Sequence, residues 1–366
     1  MIVKDTERTQ IHIDGDRVKK IYKGQFANRL KNQVLPFLKG CDHPNIPKVL
    51  ESGDDYYVME YAGKTLKDHD VRSGLCKPEY LEQIADALFY THCKGFSHQD
   101  LQFDNLPVKD DKVTLIDFEH LAPLPHGTAF KNNPDLIKTP ISSWSFWDAE
   151  RCPCIKLGTG IGSEFAVDYI RKKLIQELLS VSGPGEKLGE GQAQYSSIEL
   201  PDITIKGGRS SPKRFSQFKI DRLDGKTILD IGSNTGGFCF EAWKRGASEV
   251  VGVESRECRV EAARKIASFL GACGIEFDTG MIGKSWLEGR WDVVFACSVD
   301  LYMPNPIQFY KYLYRITKEI CYLESNVFKH GETQSRHRIE EGGWSSVEYV
   351  GLSDDTCGRT NWILKK

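Results

Sequence analysis

No apolar run in this chain approaches the roughly 20 residues that span a bilayer. The opening "MIVKDTERTQ" lacks the apolar core of a secretion signal, so a cytoplasmic protein without a membrane span is expected. Charge of one sign is also missing. A net charge of −2 over 366 residues gives no global attraction to nucleic acid or to anionic lipid, and neither is expected as a partner. The eleven cysteines include no CxxC pair. "CPC" at 152–154 is too tightly spaced for a zinc knuckle, which leaves free thiols in a reducing compartment. There is no internal repeat, and no G-x-G-x-x-G precedes the first hairpin. What remains is an ordinary globular composition in a chain long enough for two domains.

A glycine-rich, nearly apolar-free stretch, "SGPGEKLGEGQAQ", marks the division. Residues 1–180 are expected to form one domain, 181–194 a linker and 195–366 a second domain. The helix "SEFAVDYIRKKLIQELL" closes the first, with Ser163 as N-cap and Phe165, Tyr169, Leu174 and Leu178 at helical spacing. The first half begins with a hairpin, "TQIHI" and "RVKKIYK" around an Asp-Gly turn, whose register turns either Lys19 or Lys20 inward. Two further strand-like pieces end in "VMEYAG". The helix "PEYLEQIADALFYTHCKGF" then leads straight into "SHQDLQFDN" and "TLIDFEHL".

These residues resemble the protein-kinase-like superfamily: "HQDLQFDN" is similar to the HRDLKPEN catalytic loop and "IDFE" to the DFG segment. The resemblance implies an α+β kinase-like fold that binds ATP and Mg2+. Asp100 would orient the attacking hydroxyl, Asn105 and Asp117 would be magnesium ligands, and Lys20 would contact the α- and β-phosphates. Glu60 and Tyr61 would lie at the adenine hinge. The position expected to carry the lysine's helix glutamate reads Gln33, which can accept a hydrogen bond but brings no charge. Gln102 replaces the loop's usual lysine. Too few residues follow Asp117 for the large lobe with which protein kinases hold peptides, so a small molecule or glycan is the expected substrate.

The second half contains "KTILDIGSNTGGFCFEAWKRGASEVVGVES", a strand, glycine loop, helix, strand and terminal acid. Glycines let the backbone approach a ligand, and the acid after the next strand accepts ribose hydroxyls. The loop is D-x-G-x-x-x-G-G, which favours S-adenosylmethionine over a dinucleotide; an NAD enzyme is the alternative. Helices and strands then alternate, ending in two strands without an intervening helix. That order resembles the α/β Rossmann-like class I methyltransferases with a seven-stranded sheet. Residues 194–318 resemble in particular the tRNA wobble-uridine carboxymethyl-transfer methyltransferases, with Leu301-Tyr302 where that family has Tyr-His. By this match Asp230, Gly232, Gly236 and Glu254 line the cofactor, Met281 lies beside adenine and Cys297 ends the fourth strand. The fold and cofactor are implied; the RNA substrate is not.

A hydroxyl acceptor would need a base, for which Asp300, Tyr302, His330 and His337 are candidates. A phosphate acceptor would need cations instead. Lys206, Arg209, Lys213, Arg214, Lys219 and Arg222 in one run and Arg336 and Arg338 in another could supply them, or could be a solvated face. In domain content the chain is similar to the O-antigen chain-terminating kinase–methyltransferases, in the opposite order. The expected protein is a bifunctional transferase that phosphorylates and methylates one small-molecule or glycan substrate. The alternative is a methyltransferase whose kinase-like half is an inactive docking domain.

Overall fold

The computed structural model describes residues 2–66, 77–137, 163–181, 195–200, 203–281, 287–326, 331–353 and 358–366. The "CPC" triplet, the glycine-rich stretch at 182–194 and His330 lie outside them. The chain forms two compact units, residues 1–172 with 268–271, and residues 173–267 with 272–366.

The first unit opens with an antiparallel sheet. Its strands are β1 (Ile2–Asp5), β2 (Thr9–Asp14), β3 (Arg17–Tyr22), β4 (Glu51–Ser52) and β5 (Tyr56–Glu60), in the order β1-β2-β3-β5-β4. The expected hairpin is β2–β3, paired from Thr9 opposite Tyr22 to Asp14 opposite Arg17. Strand alternation puts Val18, Lys20 and Tyr22 on the buried face, while Lys19 lies across the Tyr56 ring at 3.6 Å. Lys20 is therefore the inward lysine. The helix Pro78–Cys93 buries Ile84, Ala85 and Leu88 at the spacing its sequence announces. It delivers the chain to the short strand Phe96–Ser97 and the polar loop beyond. The helix Ser163–Val181, whose residues from Lys173 onward belong to the second unit, buries the stripe Ala166, Ile170, Leu174 and Leu178, so the apolar spacing read there locates its face to within one residue.

The second unit is built on a mixed sheet of seven strands. They are β6 (Thr227–Ile231), β7 (Glu249–Glu254), β8 (Ile275–Thr279), β9 (Trp291–Cys297), β10 (Thr317–Ser325), β11 (Ser346–Leu352) and β12 (Thr360–Lys365). Their spatial order is β8-β7-β6-β9-β10-β12-β11, parallel through β10 and antiparallel at the final hairpin. This is the class I methyltransferase fold, and the closing hairpin is where two strands without a helix between them require it. Helices on both faces explain why β6 and β9 read as nearly unbroken apolar runs. Leu229, Val294, Phe309, Leu313 and Trp362 form the centre of one core layer.

Candidate functional site

In the first unit the centre is a buried ion pair. Lys20 is 4% exposed and its ammonium meets the Asp117 carboxylate, with Glu119 Oε2 at 3.8 Å. Burial works against both charges. Asp117, with Tyr57 and Glu119, nevertheless keeps the lysine above its ordinary range, and Lys20 keeps the Asp117 carboxyl below its own. Asp117 takes up a left-handed backbone, φ 67° and ψ 59°, which a non-glycine residue adopts at a cost that its neighbours must over-determine.

The loop 97–105 is fixed from below by Asp135, which the sequence reading missed. Its carboxylate accepts the backbone N–H groups of His98 and Gln99, both at 2.6 Å, and holds Gln99 at φ 62°. The His98 ring donates from Nε2 to the Ile116 carbonyl at 2.8 Å, which leaves Nδ1 to accept the Asp100 N–H at 3.3 Å. Asp100 is then dressed by amides. Gln102 Nε2 donates to both carboxylate oxygens at 3.0 and 3.1 Å, and Asn105 Nδ2 donates to Oδ2 and to the main-chain carbonyl at 2.8 Å each. Because that nitrogen is committed to Asp100, Asn105 has its Oδ1 left for a cation. The Ile116 N–H bonds the Asn105 carbonyl at 3.0 Å, which ties the loop to the segment carrying Asp117. Among the described residues no three His, Cys, Asp or Glu side chains form a metal cluster. A magnesium ion here would be held by the oxygens of Asn105 and Asp117 together with nucleotide phosphates, which suits an ion that keeps few protein ligands.

Two expectations need correction. Gln33 is not turned to Lys20: it lies in a π-helical stretch, Leu30–Val34, and donates from Nε2 to the Leu121 carbonyl at 2.9 Å. Lys20 instead faces the two carboxylates of Asp117 and Glu119. At the end of β5, Glu60 is exposed and the Tyr61 N–H is donated to the Asp16 carbonyl at 2.8 Å, so that N–H cannot serve a bound base.

In the second unit a cavity of about 760 Å3 opens at the carboxyl ends of β6, β7 and β9, where the strand order reverses. Gly232, Glu254, Met281 and Cys297 line it. Gly232 has φ 76°, and a Cβ there would meet Val299 Cγ1 at 2.5 Å, so no other residue fits. Glu254 is held by the N–H groups of Asn234 and Arg256 and by Ser255 Oγ, each at 3.1 Å. Burial pushes the Cys297 thiol up to about 12, which favours the protonated thiol at neutral pH.

Asp230 and Gly236 are not part of that lining. Asp230 is buried, with Cys239 Sγ 3.5 Å from its Oδ2, and burial pushes its carboxyl up to about 7. A Cβ on Gly236 would meet the Phe277 and Phe240 rings at 2.7 and 2.8 Å, so this glycine answers a packing demand. Asp300 is buried and spends its carboxylate on Ser325 Oγ, the Tyr310 hydroxyl and the Asn326 N–H, which leaves it no role as an open base. Tyr302 stands exposed on the cavity rim, and His337 is exposed beside Glu341.

The basic run divides in two. Lys219 and Arg222 pair with Glu348 and Asp224 on the surface, as a solvated face would. Arg209 and Arg214 are buried around Glu324, the acid near the end of β10. Arg209 grips it with two nitrogens at 2.8 Å each, Arg214 reaches it at 3.1 and 3.2 Å, and Arg359 from the start of the last hairpin strand's approach adds a contact at 3.2 Å. Ser298 Oγ completes the ring. Burial opposes ionisation of Glu324, but Arg214 and Arg209 hold its carboxyl well below the usual range. The Tyr195 hydroxyl receives Arg209 and Arg359 at 2.9 Å each. Tyr195, Ser298 and Arg359 face the cavity, so three guanidinium groups against one carboxylate leave surplus positive charge at its edge.

Residues 223–342 match the family model described as a methyltransferase domain, which fits the sheet order and the cavity. Two curated relatives are calcium-dependent protein kinase 5 of Plasmodium falciparum, 35% identical over 117 residues, and an Aurora kinase of Candida glabrata, 34% identical over 109 residues. These alignments cover 28% and 27% of this chain and only 20% and 30% of the two kinases. Among solved structures, WbdD bound to a kinase inhibitor is 18% identical, with 53% of this chain and 47% of WbdD covered and a TM-score of 0.41. An S-adenosylmethionine-dependent methyltransferase from Mesorhizobium loti is 13% identical over 42% of this chain and 96% of that one, with a TM-score of 0.36.

Removing the charge of Glu324 leaves three buried or half-buried arginines without their shared partner. Glu324→Gln is expected to cost about 3–5 kcal/mol in urea unfolding, and a loss below about 1 kcal/mol would show that the cluster does not hold the fold. Asp230 titrates near 7 in the folded chain and near 4 when unfolded. Between those values the folded state keeps a proton that the unfolded state has lost. Stability should therefore fall as pH rises from about 4 to about 7, by up to a few kcal/mol. Unfolding midpoints of Asp230→Asn should lose that slope; an unchanged slope would assign it to another group.

Proposed function

We propose that this chain is a bifunctional transferase: its first half phosphorylates a hydroxyl with Mg-ATP, and its second half methylates the same molecule from S-adenosylmethionine. The observation that carries the first activity is the Lys20–Asp117 pair on a segment that Ile116 bonds to the loop holding a dressed Asp100. A hydroxyl brought to Asp100 would be oriented by a carboxylate whose own position is set by Gln102, Asn105 and the His98 ring. Lys20 would neutralise phosphate charge from a buried position. Bound magnesium would supply the remaining charge neutralisation.

For the second activity, the support is the cavity at the strand switch point with Gly232 and Glu254 on its wall. The sulfonium cofactor would supply an electrophilic methyl group needing only an aligned nucleophile. The Glu324 cluster favours an anionic acceptor, since its surplus charge at the edge of the cavity compensates a phosphate or carboxylate. A phosphate oxygen needs no base, which agrees with the absence of an open carboxylate at Asp300. The first reaction makes the kind of group that the second site suits. Substrate and partner identity extend no further than a small molecule or glycan bearing a hydroxyl.

A cell extract supplied with the protein, Mg-ATP and deuteriomethyl-labelled cofactor tests this by mass spectrometry. One species should gain a phosphate and a labelled methyl together. Asp100→Ala should remove both while leaving cofactor binding to the isolated protein intact. A labelled methyl product formed equally well without ATP and by Asp100→Ala would establish the rival reading, a methyltransferase carrying an inactive kinase-like half.

A further inference from the structure

The geometry points to Glu119 as the residue that keeps Lys20 positioned once Asp117 turns to a cation, a role that Gln33 does not fill. This inference rests on the nucleotide-site reading of the first half. It begins from a conflict of demand. Lys20 is almost wholly buried, and a buried ammonium stripped of its counter-ion is strongly destabilising. Its close partner is Asp117, the same carboxylate that must give its oxygens to magnesium when a nucleotide binds. One carboxylate cannot be the full partner of both.

Glu119 lies where the conflict can be resolved. Its Oε2 is 3.8 Å from the Lys20 ammonium, its Oε1 is 3.5 Å from His120 Nε2, and its side chain is 13% exposed. At 3.8 Å it is a standing counter-charge and not yet a tight hydrogen bond, so a small rotation of either side chain completes it. The turn that carries Glu119 is rigid. Phe118 is fully buried, edge-on to the His98 ring at 4.7 Å and 5.3 Å from Phe37, and the Leu121 N–H closes the turn on the Phe118 carbonyl at 3.1 Å. Arg29 and Gln33 both donate to the Leu121 carbonyl at 2.9 Å. The helical segment that would elsewhere bring a carboxylate to the lysine thus acts at one remove: Gln33 fixes the turn, and the turn presents the acid. Lysine, metal-binding aspartate and supporting glutamate all come together on "IDFE" and β3, without a helix having to swing inward.

Titration calorimetry of the full chain separates the possibilities. With magnesium and ATP, Glu119→Gln should bind about tenfold more weakly than the parent, because Lys20 then reaches for the phosphates with no carboxylate left to orient it once Asp117 engages the ion. With ATP and a chelator the two should bind alike, since Asp117 then still holds Lys20. Parent protein that binds Mg-ATP while Glu119→Gln binds it equally well overturns the role of Glu119 alone. Parent protein that binds no ATP at all overturns the nucleotide-site reading and Glu119 with it. Glu119→Asp, which keeps the charge, should retain more affinity than Glu119→Gln, and a reversed order contradicts the proposal even if both variants lose stability.

Discussion

A buried ammonium group must keep a carboxylate within reach, and the first half of this molecule is arranged around that constraint. Lys20 is driven inward by the two-residue alternation of β3, between Val18 and Tyr22. Once inside, it fixes the conformation of everything that can pair with it. Asp117 accepts an unfavourable backbone geometry in order to reach it. The segment around Asp117 is in turn bound to the loop carrying Asp100 through Ile116, whose N–H and carbonyl bond Asn105 and His98. Asp135 anchors that loop through two consecutive amides. The chain of dependence runs from one lysine to all the groups that phosphoryl transfer would use.

The second half solves a similar problem with the signs exchanged. One buried glutamate collects three arginines from the segment before the sheet and from the final hairpin, and so joins the leader, β10 and β12. The arrangement is structural first, because any member left alone would be a buried unpaired charge. It also has an electrostatic consequence, since guanidinium groups outnumber carboxylates beside the cavity. The restrained chemistry of the surrounding side chains fits methyl transfer. Cys297 stays a thiol, Asp230 faces a sulfur and Asp300 is saturated with hydrogen bonds. What is left for a reacting molecule is shape, a few polar contacts and positive potential.

Much of this was legible in the sequence because periodicity and order carry architecture. The alternating apolar runs around Asp14–Asp16, the glycine loop after "KTILD" and the helix-free final strands placed both sheets. The H-x-D-x4-N spacing put Asn105 against Asp100, and Ile116 bonds the segment carrying Asp117 to that loop. What escaped was pairing at a distance. Nothing in "NNPDLI" announces that Asp135 will hold a loop 36 residues earlier. Arg209 and Arg214 read as a surface run because charge runs usually are, and only the burial of Glu324 reverses that. Asp230 and Gly236 belong to the motif by position, yet burial beside Cys239 and contact with Phe277 explain them more directly than a ligand does. Gln33 read as a weakened lysine partner because local sequence cannot show that its amide donates to the Leu121 carbonyl instead.

The most direct measurement is a crystal structure of the chain with magnesium and a non-hydrolysable ATP analogue. Lys20 should have left Asp117 for the α- and β-phosphates, with oxygens of Asp117 and Asn105 about 2.0–2.1 Å from the ion. Lys20 still locked on Asp117, with the analogue absent or bound elsewhere, would contradict the account.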